Sequence, residues 1–281
     1  FSDSDLNYLS NNISMFSSHL LKSPRSMALR KATNTDDGDL ILVVNSTDGT
    51  MAAYSILKPQ NVVAPSEFVT NGTFLEVGTD LQDIYTIVKR VLPDGSTKYY
   101  LELFDDDRTT DAAIQYFSGA VSPDQALPTN TTCSSLSHLE GFAVDVIRDD
   151  NVITGKTVSS GAITIDQVPT TYVEVGLSYS VEVKTMPAEP RLPSGSVQSR
   201  KRRIVEVTPV LDNAQNLALN GVSVSFRAVG ATAGSAVTKF TGRKRVAPFF
   251  GYSDTAQVTM TMTEPLFCTV LAVEYKLSTG A

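Results

Sequence analysis

The sequence is poor in the residues that build metal sites and nucleophilic catalytic centres. Its 281 residues include two cysteines, two histidines and no tryptophan. Few ligands are therefore available for a zinc site, and few nucleophiles for a catalytic triad. The sequence also has no glycine-rich phosphate-binding loop, no G-x-S-x-G turn and no H-E-x-x-H pair. We therefore predict no catalytic, cofactor-binding or metal-binding residues, and a protein that is not an enzyme.

Long apolar runs and an excess of positive charge are missing as well. No apolar run approaches the roughly 20 residues that a membrane-spanning helix needs. The 30 acidic residues outnumber the 23 Lys and Arg residues, for a net charge of −7, which argues against a surface that grips phosphates throughout. Hydrophobic residues make up 42% of the chain, enough for a globular protein with a sizeable core. Cys133 and Cys268 lie in unrelated contexts, so we expect two reduced thiols.

One segment has helical periodicity. Apolar residues recur there at spacings of three and four, at Leu6, Leu9, Ile13, Phe16 and Leu20. This spacing places them on one face and predicts an amphipathic helix over residues 3–21. Pro24 would stop the helix soon after Leu21.

The rest of the chain has the pattern of short antiparallel strands. Apolar runs at 40–44 and 50–57 flank an Asp-Gly turn, and a second hairpin is predicted from 84–90 to 97–103 around Asp94-Gly95. Successive hairpins of this kind build propeller blades, sandwiches or barrels. We therefore predict a mainly β fold, with hairpins in propeller-like and sandwich regions after the N-terminal helix.

Composition divides the chain into three regions. Residues 1–117 are predicted to form the helix and a propeller-like hairpin region. Residues 118–138 are rich in Ser, Thr, Pro and Asn and are predicted to be an exposed loop or boundary. Residues 139–281 are predicted to form a second β-rich region.

A few acidic and histidine motifs are candidates for acid–base catalysis or metal binding. His138 and Glu140 would share one face of a strand, but no third partner lies nearby in sequence, so a structural role is favoured. The acidic runs at 36–39 and 105–107 lack the alternating spacing and distal Glu of a calcium loop. We interpret both runs as acidic turns at strand ends.

Two basic clusters stand out against the acidic background. They consist of Arg200, Lys201, Arg202, Arg203, Arg243, Lys244 and Arg245. Clustered basic groups can neutralise phosphates without reading a base sequence. No aromatic residues are interleaved to stack on bases. Both clusters are therefore candidates for contact with DNA or with another subunit, and the alternative is a solvated strand end.

Several short motifs, in a fixed order, resemble those of one family. They include His19-Leu20-Leu21, Asp48-Gly49-Thr50, Tyr99-Tyr100-Leu101-Glu102, His138-Leu139-Glu140-Gly141, Val175-Gly176-Leu177-Ser178-Tyr179 and Arg200–Ile204. Their order along residues 3–278 resembles the C-terminal portion of the tail nozzle proteins of short-tailed bacteriophages. These are also called tail tubular protein B or packaged-DNA stabilisation protein.

The resemblance implies a structural role in the virion. Nozzle proteins form a ring, usually of six copies, that contacts the tail adaptor and the fibre or spike proteins. The ring retains packaged double-stranded DNA and becomes its exit channel, in a fold with propeller-like and platform regions. The expected location is the phage tail, assembled in the bacterial host cytoplasm, and no cofactor or catalytic residue comes with the family.

The chain departs from the family pattern in two ways. Many relatives carry a tryptophan after the segment that matches Val62-Val63-Ala64, where this chain has Pro65. The N-terminal part of such proteins is not matched, so we expect a portion of a longer or divided protein.

Two other functions stay open at this point. A carbohydrate- or receptor-binding β module of a tail fibre could use Tyr99, Tyr100, Tyr172 and Tyr179 as stacking surfaces. A glycan-cleaving enzyme would need two carboxylates at a defined separation, and Glu102 with Asp105, Asp106 and Asp107 are the candidates.

Overall fold

The computed structural model describes residues 12–33, 38–190, 200–228, 230–232, 234–247, 249 and 251–279. Within these residues the chain is built of β-strands, with short 3-10 turns at Ser18–Leu20, Lys58–Gln60 and Ser137–Leu139. Strand pairing there is antiparallel except for one short parallel pair. The prediction of a mainly β chain made of antiparallel hairpins is confirmed. The chain divides into two compact units, Phe1–Asp107 and Arg108–Ala281.

The first unit contains seven strands in chain order. They are β1 (Pro24–Arg30), β2 (Asp39–Asn45), β3 (Met51–Leu57), β4 (Val62–Phe68), β5 (Thr73–Asp80), β6 (Asp83–Val91) and β7 (Thr97–Leu103). Within each of two sheets, strands that follow one another in sequence pair, which gives a four-stranded sheet of order β1-β2-β3-β4 and a three-stranded sheet of order β5-β6-β7. Such simple up-and-down order follows from the short connections between strands.

The two predicted hairpins form at the predicted turns. Between β2 and β3, Gly49 has φ +69°, and Asp48 accepts hydrogen bonds from the backbone and hydroxyl of Thr50. Between β6 and β7, Gly95 has φ +84°, and Asp94 accepts a hydrogen bond from the backbone of Ser96. An aspartate that closes the turn and a glycine that tolerates positive φ explain why both turns are readable from sequence.

The core of the first unit lies between the inner faces of its two sheets. The buried side chains that meet there are Leu42, Val44, Met51 and Ala53 from the first sheet and Phe74, Val77, Ile84 and Val88 from the second. Along β6, buried and less buried residues alternate, because successive side chains of a strand point to opposite faces. One face of each sheet is therefore committed to this core.

The predicted N-terminal helix is wrong for residues 12–21, which form turns and one short 3-10 segment. Asn12 accepts hydrogen bonds from the backbone and hydroxyl of Ser14, and such local bonds compete with helix formation. Phe16, expected on the buried face, is 93% exposed. Leu20 and Leu21 do pack, but against the sheet residue Tyr54. The remainder of the prediction, residues 3–11, lies outside the described residues.

The second unit contains fourteen strands among its described residues. The first half has β8 (Asp111–Phe117), β9 (Gln125–Ala126), β10 (Thr132–Cys133), β11 (Ala143–Arg148), β12 (Asn151–Thr157), β13 (Ile163–Thr164) and β14 (Tyr172–Leu177). The second half has β15 (Val181–Lys184), β16 (Arg202–Ala214), β17 (Ala218–Leu219), β18 (Val222–Ser223), β19 (Phe240–Arg243), β20 (Thr259–Met262) and β21 (Thr269–Thr279). Their sheets have the orders β12-β11-β14-β8-β9, β10-β13, β15-β20-β17-β18 and β19-β16-β21.

The first half of this unit differs from the regions expected from composition. Strand β8, expected in the first region, pairs with β14 of the second unit, so the division falls at 107/108. The segment 118–138, expected to be exposed, buries Cys133 and Leu136 completely in the core beneath the five-stranded sheet. Burial of these two apolar side chains anchors the segment to the core.

The second half of the unit has its own core, formed by β16, β21 and the β15-β20-β17-β18 sheet. The thirteen-residue strand β16 buries Ile204, Val207 and Leu211 there, and it pairs with β21 over almost its whole length. Its other face carries the residues of interest for function.

Candidate functional site

The fold brings the two basic clusters to one sheet. Strand β16 begins at Arg202, and the second cluster starts at Arg243, the last residue of β19, which pairs with Val210 of β16. An isolated bridge between Val207 and Val246 continues this alignment past the end of β19. Segments separated by about forty residues thus lie on adjacent strands, an adjacency that their sequence positions do not reveal.

Arg202 has a structural role in this arrangement. It is 2% exposed, and its guanidinium donates hydrogen bonds to the backbone carbonyls of Ala188 and Asp254. Its backbone pairs with Ser253. A side chain held in this way ties three chain segments together and is not accessible to a phosphate.

The other residues of the first cluster are closer to solvent. Arg200 and Lys201 are exposed just before β16. The Arg203 guanidinium lies 5.3 Å from the centre of the Tyr252 ring, a distance at which the cation is attracted to the ring face.

The second cluster belongs to a charge-paired surface. We call this surface the ion-pair face; it consists of Arg243, Arg245, Lys276, Glu206 and Glu274. Arg243 lies 3.0 Å from Glu274, Arg245 lies 2.5 Å from Glu206, and Lys276 lies 3.2 Å from the second oxygen of Glu206. The three cationic side chains are largely exposed, whereas the Glu206 side chain is 11% exposed. Three cations therefore share two carboxylates and leave one net positive charge.

Glu206 is the hub of the ion-pair face. Desolvation opposes its ionisation, but hydrogen bonds from Lys276 and Arg245 outweigh that effect and hold the pKa of Glu206 below its ordinary value. The carboxylate is thus ionised at neutral pH and keeps both cations in place. An incoming phosphate must compete with it, so the face is suited to weak and reversible anion contacts.

Lys244 lies apart from these pairs. Its ammonium is 4.8 Å from the Phe226 ring centre and 4.7 Å from that of Phe240, and it donates a hydrogen bond to the Ser225 carbonyl. Lys244, Ser225 and Phe240 border a shallow groove that Ser223 and Arg245 also line. Cation–π contacts and a carbonyl partner already satisfy this charge.

The sequence pointed to Arg243 and Arg245 but missed Glu206, Glu274 and Lys276. Glu274 and Lys276 flank Tyr275 along β21, and the Tyr275 side chain packs toward the core. That alternation was readable as an outward-facing polar pair, but its position one strand away from β19, across β16, depends on long-range strand pairing.

The acidic residues and the histidine that were considered for catalysis make structural contacts. Glu140 accepts hydrogen bonds from the backbones of Ser160 and Gly161, and His138 contacts the Ala112 carbonyl at 3.0 Å. Glu102 receives two hydrogen bonds from Arg90, and Asp105 accepts one from the Asp107 backbone.

The described part of the chain contains no group of side chains arranged for metal binding and no reactive thiol. No three His, Cys, Asp or Glu side chains are grouped there as a metal site requires, and Asp36 and Asp37 lie outside it. Cys133 and Cys268 are free thiols, and burial raises the pKa of both to about 11. Both are therefore protonated and unreactive at neutral pH.

The four tyrosines considered for carbohydrate stacking differ in availability. Tyr99 is exposed on β7, and Tyr100 beside it is half-buried. Tyr172 donates its hydroxyl to Asp150 and packs in a small apolar cluster. Tyr179 is partly exposed after β14.

Comparisons with known proteins give little further information. No protein-family model and no curated protein sequence matches the chain. Two solved structures of an exo-β-1,3-galactanase from Phanerochaete chrysosporium with β-1,3-galactotriose overlap it with TM-scores of 0.23 and 0.22, at 8% and 7% identity. The overlap covers 90% of this chain and 56% and 57% of those chains, so the chain spans little more than half of their length. TM-scores this low carry no argument about fold or function.

No helix in the described ranges has the length and apolar character needed to cross a membrane.

Proposed function

We propose that the chain is a structural subunit of the tail nozzle ring of a short-tailed bacteriophage. In this role six copies surround a channel, retain the packaged DNA and later let it pass. The order of matching motifs along residues 3–278 is the reason to name this family, and the ion-pair face is the structural observation that supports it. The expected partners are further copies of the chain, the tail adaptor, and fibre or spike proteins, and the expected location is the virion.

The ion-pair face has the electrostatics that a DNA conduit needs. Each phosphate contact made by a retained duplex must break when the genome leaves, so tight contacts would slow ejection. Glu206 and Glu274 form ion pairs with the three cations Arg243, Arg245 and Lys276. When a phosphate leaves, these carboxylates re-form their ion pairs with the cations. The net charge of −7 further limits non-specific attraction to DNA.

A second candidate is supported by Tyr99. This ring is 64% exposed and lies on the face of a sheet, where an aromatic side chain could stack on a sugar. The candidate is a carbohydrate- or receptor-binding β module of a tail fibre. Saturable binding of the isolated chain on a glycan array, abolished by Tyr99→Ala, would favour it over the nozzle.

The salt dependence of duplex DNA binding tests the proposed role of the ion-pair face. The wild-type chain should bind DNA weakly, and the double variant Arg243→Ser/Arg245→Ser should lower the slope of log K against log salt by about 2, near 1 per lost contact. Lys156→Ser is the matched control, because Lys156 is also an ion-paired cation of the second unit but lies far along the chain, beside Asp166. Equal slopes for all three proteins, or tight sequence-specific binding, would contradict the proposal.

A further inference from the structure

The outer face of the β5-β6-β7 sheet is apolar where water would favour polar residues. Directly paired residues of β6 and β7 place Ile87 beside Leu101, Tyr85 beside Leu103 and Lys89 beside Tyr99. The opposite face of β6 is buried in the core. An antiparallel sheet with one face in the core normally alternates apolar and polar side chains.

Exposure values show how large this apolar surface is. We call it the Leu101 face, and its exposed members are Leu101 at 73%, Tyr99 at 64%, Val91 at 56%, Leu103 at 51% and Ile87 at 40%. Together they expose on the order of 500 Å² of side chain, near the upper end of what a soluble monomer leaves uncovered. This apolar area alone is more than half of the roughly 800 Å² that each partner contributes to a stable interface.

The outer face of the other sheet carries a second apolar surface. We call it the Met27 face; it consists of Met27, Leu29 and Val63, which are 71%, 45% and 40% exposed. Met27 and Leu29 pair with Val43 and Ile41, on the side of the sheet opposite the main core. Leu20 and Leu21 cover the middle of this side and leave its β1 and β4 margins open.

Two different apolar faces on one unit favour head-to-tail assembly. A two-fold dimer would bury one face against its own copy and leave the other exposed to water. A head-to-tail contact buries the Leu101 face of each copy against the Met27 face of the next, and such contacts close into rings when the rotation allows. Within the unit, the inner faces of the same two sheets already pack against each other. We therefore expect the outer faces of two copies to pack in the same way, sheet on sheet.

We infer that the Leu101 face is the contact surface for the Met27 face of a second copy of this chain. The inference rests on the proposed ring and names the surfaces that build it. It uses the first unit alone.

Single charged substitutions test the contact by sedimentation velocity of the full chain. Leu101→Glu and Met27→Glu should each raise the dissociation constant for self-association at least tenfold, because each buries a carboxylate against an apolar surface. Leu81→Glu is the matched control: Leu81 is an even more exposed leucine at 86%, in the turn between β5 and β6. Unchanged thermal unfolding verifies that each variant is folded, and Leu101→Thr supplies a milder change that suits a strand.

Mixing the two variants distinguishes head-to-tail from two-fold contact. Leu101→Glu keeps its Met27 face and Met27→Glu keeps its Leu101 face, so an equimolar mixture should form one-to-one dimers that stop there. Wild-type-like assembly of either variant, or a mixture that associates no better than its components, overturns the inference.

The outcomes separate this inference from the proposed function. Six-fold wild-type rings that persist in Leu101→Glu would overturn the contact and leave the nozzle proposal standing. If the wild type forms open chains of copies and no rings, and Leu101→Glu disassembles these chains, the contact stands and the nozzle proposal is contradicted. A wild-type chain that stays monomeric overturns both the contact and the proposed ring.

Discussion

Arg90 and Glu102 form a two-point ion pair across the β6-β7 hairpin. The Nε and Nη2 atoms of Arg90 each donate a 2.8 Å hydrogen bond to a separate carboxylate oxygen of Glu102. A third bond, of 2.7 Å, runs from Nη1 to the Asn71 carbonyl. Arg90 is 1% exposed, so its charge depends on these partners, which hold the second sheet in register.

The first prediction concerns this pair. Glu102→Gln should lower the free energy of unfolding of the first unit by about 3 kcal/mol, because it leaves a buried guanidinium without its counter-charge. Urea denaturation measures the change. Asp166→Asn breaks an ion pair with Lys156 in which the carboxylate side chain is 72% exposed, and it should cost less than about 1 kcal/mol. Equal effects of the two substitutions would mean that burial does not control the strength of the pair.

The second prediction uses two glycines of the first unit. A Cβ at Gly72 would lie 2.5 Å from the Lys89 carbonyl oxygen, whereas a Cβ at Gly78 would have no atom within 4 Å. Gly72→Ala should therefore destabilise the protein by about 2 kcal/mol through overpacking, and Gly78→Ala should be neutral. Thermal unfolding of both variants checks the difference, and a neutral Gly72→Ala would show that the β5-β6 edge lies elsewhere.

The third prediction concerns acid stability. Burial opposes ionisation of Asp149, but hydrogen bonds from Thr171, Thr170 and Tyr172 outweigh it and depress the pKa of this carboxyl far below its ordinary value. A depressed folded-state pKa contributes stability above the unfolded value of about 3.9, and that stability is lost as the pH falls toward the folded pKa. Asp149→Asn should cost about 2 kcal/mol at pH 7, since an amide nitrogen cannot accept the Thr170 bonds.

The size of that loss should depend on pH. The difference between wild type and Asp149→Asn should be constant above about pH 5 and shrink as the pH falls below about 3.9. Unfolding midpoints measured from pH 7 to pH 2 follow it. A difference that stays constant down to pH 2 would exclude ionised Asp149 as its source.

The fourth prediction separates the structural from the exposed members of the first basic cluster. Arg202→Ala should lower the free energy of unfolding by about 3 kcal/mol, because two buried carbonyls lose their donor. Arg203→Ala removes one cation–π contact with Tyr252 and should cost about 1 kcal/mol or less. Comparable losses in chemical denaturation would place Arg202 near the surface.

Local sequence rules predicted the hairpins because their information is local. The Asp-Gly turns at Asp48-Gly49 and Asp94-Gly95 fix the connection, and strand alternation fixes the faces. The same rules failed at residues 12–21, where apolar spacing suits a helix but the Asn12–Ser14 hydrogen bonds and the Tyr54 contact favour turns.

The candidate site could be predicted only in part, because its assembly depends on distant strands. The basic residues were visible in sequence, but Glu206 meets Arg245 only through the β16 alignment with the residues after β19. The burial of Arg202 likewise comes from Ala188 and Asp254, which lie on either side of it in sequence. Single-sequence patterns carry no information about such pairings.

Imaging of the purified full-length chain by negative-stain electron microscopy, with its mass measured in parallel, is the most direct test of the nozzle proposal. The proposal predicts class averages of a six-fold ring around an open centre, with the mass of six copies. A uniform monomer, or a compact two-fold dimer without a channel, would contradict it.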